Sequence, residues 1–406
     1  MRNRPMSKII GIMVVLILAA ASAGFGSELL LSVSSDNAEF AFDIFSSIRA
    51  KEGNLFFSPY SISSALAMTY GGAAGETASQ MEKALRFTGG QELTHRAFSE
   101  LGERMAEIQK EGNVELSIAN SIWPQSGYPF LKEYLSLLDE NYGVEITPLD
   151  YAREPEPSRE RINGWVEEIT KEKIKELIPQ GSIDPLTRMV LVNAIYFKGN
   201  WEDQFDPEAT EEAPFTLSSG KEVNAPLMSR SGNYKYAELP GFQMIELPYA
   251  GRDLSMIVLL PDTDTPLSSL EKKMTLENFE TWKKFLKEER VILFLPKFRI
   301  TWGTVSLVET LHSLGMVDAF SSSKANFSGM DGRPDWLYIT DVLHKAFVDV
   351  NEEGTEAAAA TAVVVGARSV AAPPVVFRAD RPFLFIIQEN STGNILFMGR
   401  VNEPEK

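Results

Sequence analysis

Cysteine is absent from the 406-residue sequence, and histidine is nearly so, with only His95, His312 and His344. The lack of cysteine excludes disulfide bonds, thiol catalysis and cysteine-ligated zinc. The three histidines are far apart in the sequence, so we expect no histidine metal cluster. The sequence therefore predicts neither a metal site nor a cofactor.

Positive charge is also scarce relative to negative charge. Lysine and arginine total 39 against 56 aspartate and glutamate residues, which gives a formal net charge of −17 at pH 7. A protein with a large net negative charge is a poor match for nucleic acid or for an anionic membrane surface. We therefore expect no nucleic acid among its partners.

The N-terminal segment has the pattern of an export signal. A positive start is followed by an apolar run and then by a small-residue cleavage site, namely Arg2, Arg4 and Lys8, then residues 9–20, then Ala21, Ser22 and Ala23. We predict that residues 1–23 are a signal peptide and that the mature protein is secreted or extracytoplasmic. An uncleaved membrane anchor is the alternative, although the apolar run is shorter than the span of about 20 residues that crosses a bilayer.

The rest of the chain mixes helical and strand patterns without a linker or an internal repeat. Asp36 to Arg49 has apolar residues at helical spacing, with Ser35 or Asp36 as its N-cap, and Ser158 to Ile178 repeats the pattern. Strand-like runs such as Met189 to Phe197 are apolar on both faces, which is typical of strands that are covered on both sides. The mixture indicates one α+β domain over residues 24–406.

One long segment, Asn351 to Asp380, has little conventional helix or hairpin signal, and a loop of this length inside a compact domain usually has a function. Placed on a strand, it would have one uncharged face of small or β-branched residues, namely Thr355, Ala357, Ala359, Thr361, Val363 and Val365. Such a face would fit inside a closely packed sheet. The segment could therefore be a loop in one state and a central strand in another, while an ordinary alanine-rich helix or an edge strand is the alternative.

The sequence around this segment resembles the serpin family of protease inhibitors. The resemblance covers residues 35 to 404, and its blocks stand in the family's order: 56–62, 191–199, Trp201, 246–249, 352–360 and 377–385. It implies the serpin fold, which is a single α+β domain of three β-sheets, eight or nine surrounding helices and an exposed reactive-centre loop at about 352–376. It also implies that the protein is no enzyme and that it acts as a monomer.

The resemblance also places the reactive bond. Counted as in the family, the residue before the bond lies fourteen positions after the hinge glycine Gly354, which makes the bond Arg368–Ser369. An exposed Arg-Ser bond suits trypsin-like proteases, because their acidic pocket pairs with a guanidinium group. A solubilising loop charge is the alternative for Arg368. The loop hinge that the resemblance implies is Glu352, Glu353, Gly354, Thr355, Glu356, Ala357, Ala358, Ala359 and Ala360.

Two groups of supporting residues follow from the same resemblance. A sheet-opening (gating) region is expected from Ser58, Ser61, Asn193 and His344, although hydrogen-bonded core polar groups would have the same pattern. A loop-base region is expected from Trp201, Lys297 and Glu352, with an ion pair between Lys297 and Glu352.

The sequence thus predicts a suicide-substrate inhibitor of trypsin-like serine proteases, which traps the acyl-enzyme by inserting its cut loop into the main sheet. No motif of a hydrolase, a phosphate-binding loop or a zinc protease accompanies His344, which argues against catalysis. A non-inhibitory serpin that acts as a protease substrate, carrier or chaperone is the alternative, but the small-residue hinge disfavours it. The helix around Glu92 to Glu111 is rich in glutamate, so we expect no activation by a heparin-like polyanion.

Overall fold

The computed structural model describes residues 7–334, 336–355 and 374–404. The described residues form ten α-helices, against the eight or nine expected: α1 Ser7–Ile48, α2 Pro59–Tyr70, α3 Gly75–Ala84, α4 Gly90–Lys110, α5 Lys132–Tyr142, α6 Pro155–Ile169, α7 Leu267–Glu271, α8 Leu276–Lys283, α9 Val308–Ser313 and α10 Ser328–Asp331. Short 3₁₀ turns lie at Pro207–Ala209 and Asp318–Phe320. As expected, most long helices come early in the chain.

The described residues also form fifteen strands, and the long ones dominate the second half of the chain. They are β1 Leu55–Phe57, β2 Val114–Pro124, β3 Glu145–Ile146, β4 Met189–Asn200, β5 Glu211–Thr216, β6 Glu222–Leu239, β7 Phe242–Pro248, β8 Leu254–Pro261, β9 Lys287–Pro296, β10 Phe298–Ser306, β11 Leu343–Val350, β12 Gly354–Thr355, β13 Val375–Arg378, β14 Phe383–Glu389 and β15 Ile395–Val401.

The strands pair as three sheets, two of which share the long strand β6. Six strands form one sheet in the order β10-β11-β12-β4-β2-β3. Of the other nine, eight form one continuous path and β5 pairs with β6 beside it, but β6 pairs with β9 along residues 227–236 and with β7 along residues 235–239. One sheet therefore runs from β1 to the end of β6, and another comprises the start of β6 with β5, β9 and β13. The expected α+β fold with three sheets is confirmed.

Two apolar cores lie on opposite faces of the six-stranded sheet. The main core joins its inner face to α1, α2, α4 and the β14–β15 pair, and it includes Ile195, Phe197 and Val348. The smaller core lies under α6 on the outer face and includes Tyr196 and Phe347. Because neighbouring residues alternate between the two cores, both faces of β4 and β11 are covered.

The N-terminal helix differs from the expectation. A helix starting at Ser35 or Asp36 was expected, but α1 begins at Ser7 and continues unbroken to Ile48. Asp36 does not cap the helix, because its carboxylate accepts hydrogen bonds from the backbone N–H and the hydroxyl of Thr88 at 3.1 Å. In the part of the chain that the structure describes, no helix has the length and apolarity needed to cross a membrane.

The helix expected over Ser158 to Ile178 is also shorter than its apolar pattern suggests. α6 ends at Ile169, and Lys171 and Glu172 have positive φ angles of 52° and 60°. The Thr170 hydroxyl donates to the carbonyl oxygen of Val166 at 2.7 Å and accepts from the Ile174 N–H at 3.2 Å. The side chain thus replaces the backbone hydrogen-bond partner that the Ile174 N–H would have in a continuing helix. The segment 170–183 then crosses the outer face of the sheet and buries its apolar residues there.

Candidate functional site

The six-stranded sheet has an opening between β11 and β4. These strands run parallel and are paired directly at two positions, Ala346 with Ile195 and Phe347 with Tyr196. Parallel pairing is slightly less stable per residue than antiparallel pairing. Few hydrogen bonds would therefore have to break for the two strands to separate along their length.

The predicted hinge already occupies the upper end of this opening. Gly354 and Thr355 form β12, which pairs antiparallel with Asn200 and Gly199 of β4. On its other side Thr355 pairs with Val350 of β11. These two hinge residues thus already form a central strand of the sheet.

Thr355 is fully buried and faces the main core. Its hydroxyl lies 2.9 Å from the Tyr249 hydroxyl. The Tyr249 ring in turn stacks on Trp201 at 4.7 Å and meets Phe197 edge-on at 5.0 Å. The inward direction expected for Thr355 is therefore observed, and the hydroxyl has a partner in the core.

Gly354 is in contact with the backbone of β4. A Cβ atom at this position would lie 2.0 Å from the carbonyl oxygen of Gly199, far inside contact distance. Only glycine lets the chain enter the sheet here without displacing β4. This close approach gives a physical reason for the hinge glycine.

The loop base is held by an ion pair and several hydrogen bonds. Lys297 Nζ lies 2.9 Å from Glu352 Oε2, so the predicted ion pair is present. The Thr210 hydroxyl donates to Glu352 Oε1 at 2.9 Å, and the Trp201 indole N–H donates to the Asn351 carbonyl oxygen at 3.0 Å. Burial would by itself raise the pKa of the Glu352 carboxyl, but the bonds from Lys297 and Thr210 outweigh it and lower that pKa. The carboxylate thus stabilises the loop base at neutral pH, and this contribution is lost as the pH falls through the lowered pKa.

Three of the four predicted gating residues meet near the lower part of the opening. The Ser58 N–H donates to His344 Nε2 at 3.1 Å, and the Ser58 hydroxyl donates to the Leu396 carbonyl oxygen at 2.7 Å. Ser61 joins this network through its backbone N–H, which donates to Ser58 Oγ at 3.1 Å. Asn193 lies in β4 opposite Asn120, and its side chain lies outside the described part of the structure. The bonds tie α2 to β11 and β15, whereas a part in sheet opening stays a prediction.

We expect His344 to make the stability of the protein depend on pH. Burial lowers its pKa to about 3, from an ordinary value of 6.5. The unfolded chain therefore binds a proton that the folded chain excludes, and His344 alone should lower the free energy of unfolding by about 1.4 kcal/mol per pH unit below pH 6.5. Buried His95, whose pKa is lowered to about 4, adds to the same slope. Urea unfolding between pH 7 and pH 4 measures this slope.

His344→Gln should make that slope shallower. The same change at the exposed His312 is the matched control and should leave it as in the wild type. An equal slope in His344→Gln and the wild type would contradict the buried, neutral state of His344.

The predicted reactive bond Arg368–Ser369 and the hinge residues from Glu356 to Ala360 lie outside the described residues. Their roles stay predictions. In the described ranges no group of three or more histidine, aspartate or glutamate side chains is placed to hold a metal ion.

Sequence reasoning missed two residues of the loop base. Thr210 binds the Glu352 carboxylate, and Tyr249 binds the Thr355 hydroxyl. Thr210 follows a 3₁₀ turn and carries no pattern that could have marked it. Tyr249 belongs to one of the blocks that resemble the family, but nothing in that block indicates a contact with the loop.

Comparisons with known proteins agree with this architecture. The family model "Serpin (serine protease inhibitor)" matches residues 35–404. The leukocyte elastase inhibitor of Bos taurus is 43% identical over 383 residues, which are 92% of this chain and 99% of that protein.

Among solved structures, uncleaved ovalbumin superposes with a TM-score of 0.82 at 34% identity over 92% of this chain and 100% of that one. Human thyroxine-binding globulin gives a TM-score of 0.82 at 30% identity, over 93% and 100% of the two chains. Because the family model and a relative above 40% identity both span more than nine-tenths of the residues, this chain belongs to the serpin family.

Proposed function

We propose that this serpin is a suicide-substrate inhibitor of trypsin-like serine proteases. The protease serine attacks the carbonyl carbon of Arg368, the bond to Ser369 breaks, and Arg368 becomes esterified to the protease. The freed loop then enters the opening between β11 and β4 as a new central strand. Insertion drags the protease along with Arg368 and deforms it before water hydrolyses the ester.

The register of β12 is the observation that supports this proposal most directly. Gly354 is opposite Asn200 and Thr355 is opposite Gly199. If this antiparallel register continued, Val365 would come opposite Met189, the first residue of β4. The segment 354–365 would thus match all 12 residues of β4.

The same register assigns the two faces of the inserted strand. Cross-strand neighbours share a face, and Ala359 would lie between Ile195 and Ala346, which both belong to the main core. Ala358 would lie between Tyr196 and Phe347, which belong to the core under α6. The small, uncharged face would therefore enter the main core, and the face that carries Glu356 would lie on the outer side.

Backbone hydrogen bonds alone do not make insertion strongly favourable. Each bond contributes a net of about 1 kcal/mol, whereas ordering each residue costs roughly 1–2 kcal/mol. Burial of the alanine, threonine and valine side chains and relief of strain in the intact fold must supply the rest. The uncut protein is accordingly held in its active state by a kinetic barrier.

Specificity in this proposal depends on Arg368. An acidic specificity pocket binds a guanidinium group by charge-assisted hydrogen bonds. A non-inhibitory serpin has no need for an insertable strand, and the fit of the small-residue face to the sheet favours an inhibitor.

We further propose that residues 1–23 direct export of the protein. N-terminal sequencing of the exported protein, which we expect to begin at Gly24, tests this proposal.

Mixing the protein with trypsin tests the proposal. We expect a covalent complex that survives denaturing gel electrophoresis and a protease that remains inactive. Cleavage after Arg368 with full release of active trypsin would make the protein a substrate. Cleavage elsewhere in the loop would show that the position of the reactive bond is wrong.

A further inference from the structure

We propose that a cavity between α1 and the start of α4 binds a small organic cation, namely a primary amine on a short apolar group such as phenylethyl. None of the described residues that line this α1–α4 cavity belongs to the loop base or to the sheet opening. The inference therefore does not rest on the proposed function.

The cavity follows from small side chains on two facing helices. On α1, the lining residues Leu29, Val33 and Asp36 recur at helical spacing and therefore share one face. Ser32 on α1 and Ala97 on α4 also line the gap, and side chains this small leave space between the helices. The empty space amounts to about 330 Å³, part of which is open to solvent. Small-molecule sites span roughly 300–1,000 Å³, so the occupant of this one must be small.

Most of the cavity wall is apolar. Leu29, Val33 and Phe87 are buried. Leu93 also lines the cavity but is 36% exposed, which places it where the cavity opens to solvent. An apolar group in the cavity would cover Leu93 and leave water itself, and both changes favour binding.

A single carboxylate faces this apolar wall. Of the nine described residues that line the cavity, only Asp36 is charged. Its carboxylate accepts hydrogen bonds from the backbone N–H and the hydroxyl of Thr88, as described above. An ionised carboxylate has about four acceptor sites, so the Asp36 carboxylate can still accept a hydrogen bond from a ligand.

Asp36 has no positive partner among the described residues. Burial raises the pKa of its carboxyl, the bonds from Thr88 offset part of that rise, and the negative charge of Glu39 adds to it. Arg86 lies next to the cavity-lining Phe87, but it pairs with Asp43 at 2.7 Å and with Glu39 at 3.7 Å. An ammonium group beside Asp36 would therefore compensate for a partly buried charge that the described protein leaves unpaired.

The spacing along α1 selects the shape of the ligand. A helix rises about 1.5 Å per residue, so the Asp36 backbone lies roughly 4.5 Å beyond Val33 and about 10 Å beyond Leu29 along the axis. An apolar ring placed against Leu29 and Val33 would bring an ammonium group on a two-carbon chain next to the Asp36 carboxylate. Phenylethylammonium has this shape.

Ligand-observed NMR titration of the full protein with three compounds of similar shape tests the proposal. At neutral pH, 2-phenylethylamine is a cation, 2-phenylethanol is neutral and 3-phenylpropanoate is an anion. For so small a ligand we expect the amine to bind with a dissociation constant of roughly 0.1–1 mM. The alcohol should bind about tenfold more weakly or worse, because it lacks the charge-assisted hydrogen bond, and the anion should not bind measurably.

Two variants locate the site. Asp36→Asn keeps an oxygen that can accept from Thr88 but removes the charge, so the affinity for the amine should fall to that for the alcohol. Ser32→Phe fills the cavity and should abolish the binding of both compounds. Ser35→Phe is the matched control, because Ser35 is also an exposed residue of α1 but does not line the cavity, and it should bind the amine as the wild type does.

Equal affinities for the amine and the alcohol would overturn the proposal, as would the absence of saturable binding of the amine. Wild-type affinity for the amine in either Asp36→Asn or Ser32→Phe would show that it binds elsewhere and would overturn the proposal too. Thermal unfolding checks that each variant is folded. Ser32 is exposed, so Ser32→Phe decides the matter even if Asp36→Asn fails to fold. Inhibition of trypsin is measured separately, and none of these results would alter the proposed function.

Discussion

Arg368→Glu should abolish the gel-stable complex with trypsin. A glutamate in the acidic specificity pocket would place two like charges together, which costs several kcal/mol and corresponds to a loss of about a thousandfold in the association rate. The measurement is the second-order rate of trypsin inhibition, together with denaturing gel electrophoresis of the mixture. The family resemblance places position 368 in an exposed loop, so thermal unfolding of the uncut variant should match the wild type.

Arg368→Lys is the matched control for this prediction. Lysine keeps the positive charge and should still be accepted by trypsin, with a slower rate because it lacks the paired donors of arginine. A variant with glutamate at position 368 that still traps trypsin at the wild-type rate would show that the protease attacks another bond.

Ala359→Arg should convert the protein from an inhibitor into a substrate. If the inserted loop continued the register of β12, this side chain would enter the main core between Ile195 and Ala346, where a charge without a partner costs several kcal/mol. Insertion would slow, and hydrolysis of the ester would then release active trypsin. The measured quantity is the number of inhibitor molecules consumed per trypsin inactivated, which we expect to rise by roughly tenfold or more.

Ala359→Thr controls for the presence of a larger side chain. Threonine already occurs on the same face at positions 355 and 361, and the Thr355 hydroxyl has a partner in the core. This variant should inhibit with nearly the wild-type stoichiometry. If Ala359→Arg did the same, the side chain at 359 would not enter the core, and the proposed register would be wrong.

Much of this site could be predicted from the sequence because its constraints are local. The alternation of small residues after Gly354 marks one face of a strand, and Thr355 indeed points into the core. The family resemblance indicated the ion pair between Lys297 and Glu352, which the structure contains. Such patterns depend on side chains whose spacing is fixed by the strand itself.

Other features depend on contacts that sequence spacing does not reveal. The apolar residues Ile174, Leu177 and Ile178 continue a helical pattern, yet Thr170 ends the helix because its hydroxyl bonds locally to the backbone. The loop base likewise recruits Thr210, which is more than 140 residues away from Glu352 in sequence. Tertiary contacts determine both the end of α6 and the contact of Thr210 with Glu352, and the periodicity of the sequence does not reveal such contacts.

The number of sheets illustrates the same limit. The strand β6 has 18 residues and belongs to two sheets, because one stretch of it pairs with β9 and another stretch pairs with β7. A run of alternating residues predicts a strand but not its change of partner. The family resemblance, rather than the strand pattern, gave the expectation of three sheets.

Comparing the heat resistance of the intact and the cut molecule tests the central claim most directly. Protein cleaved between Thr361 and Arg368 by a catalytic amount of a protease is purified beside uncut protein, and both are heated under the same conditions. We predict that the cut form unfolds roughly 10 °C or more above the uncut form, because the released segment adds a strand to the middle of the sheet. Equal unfolding temperatures, with the cut segment still accessible to further proteolysis, would contradict the account.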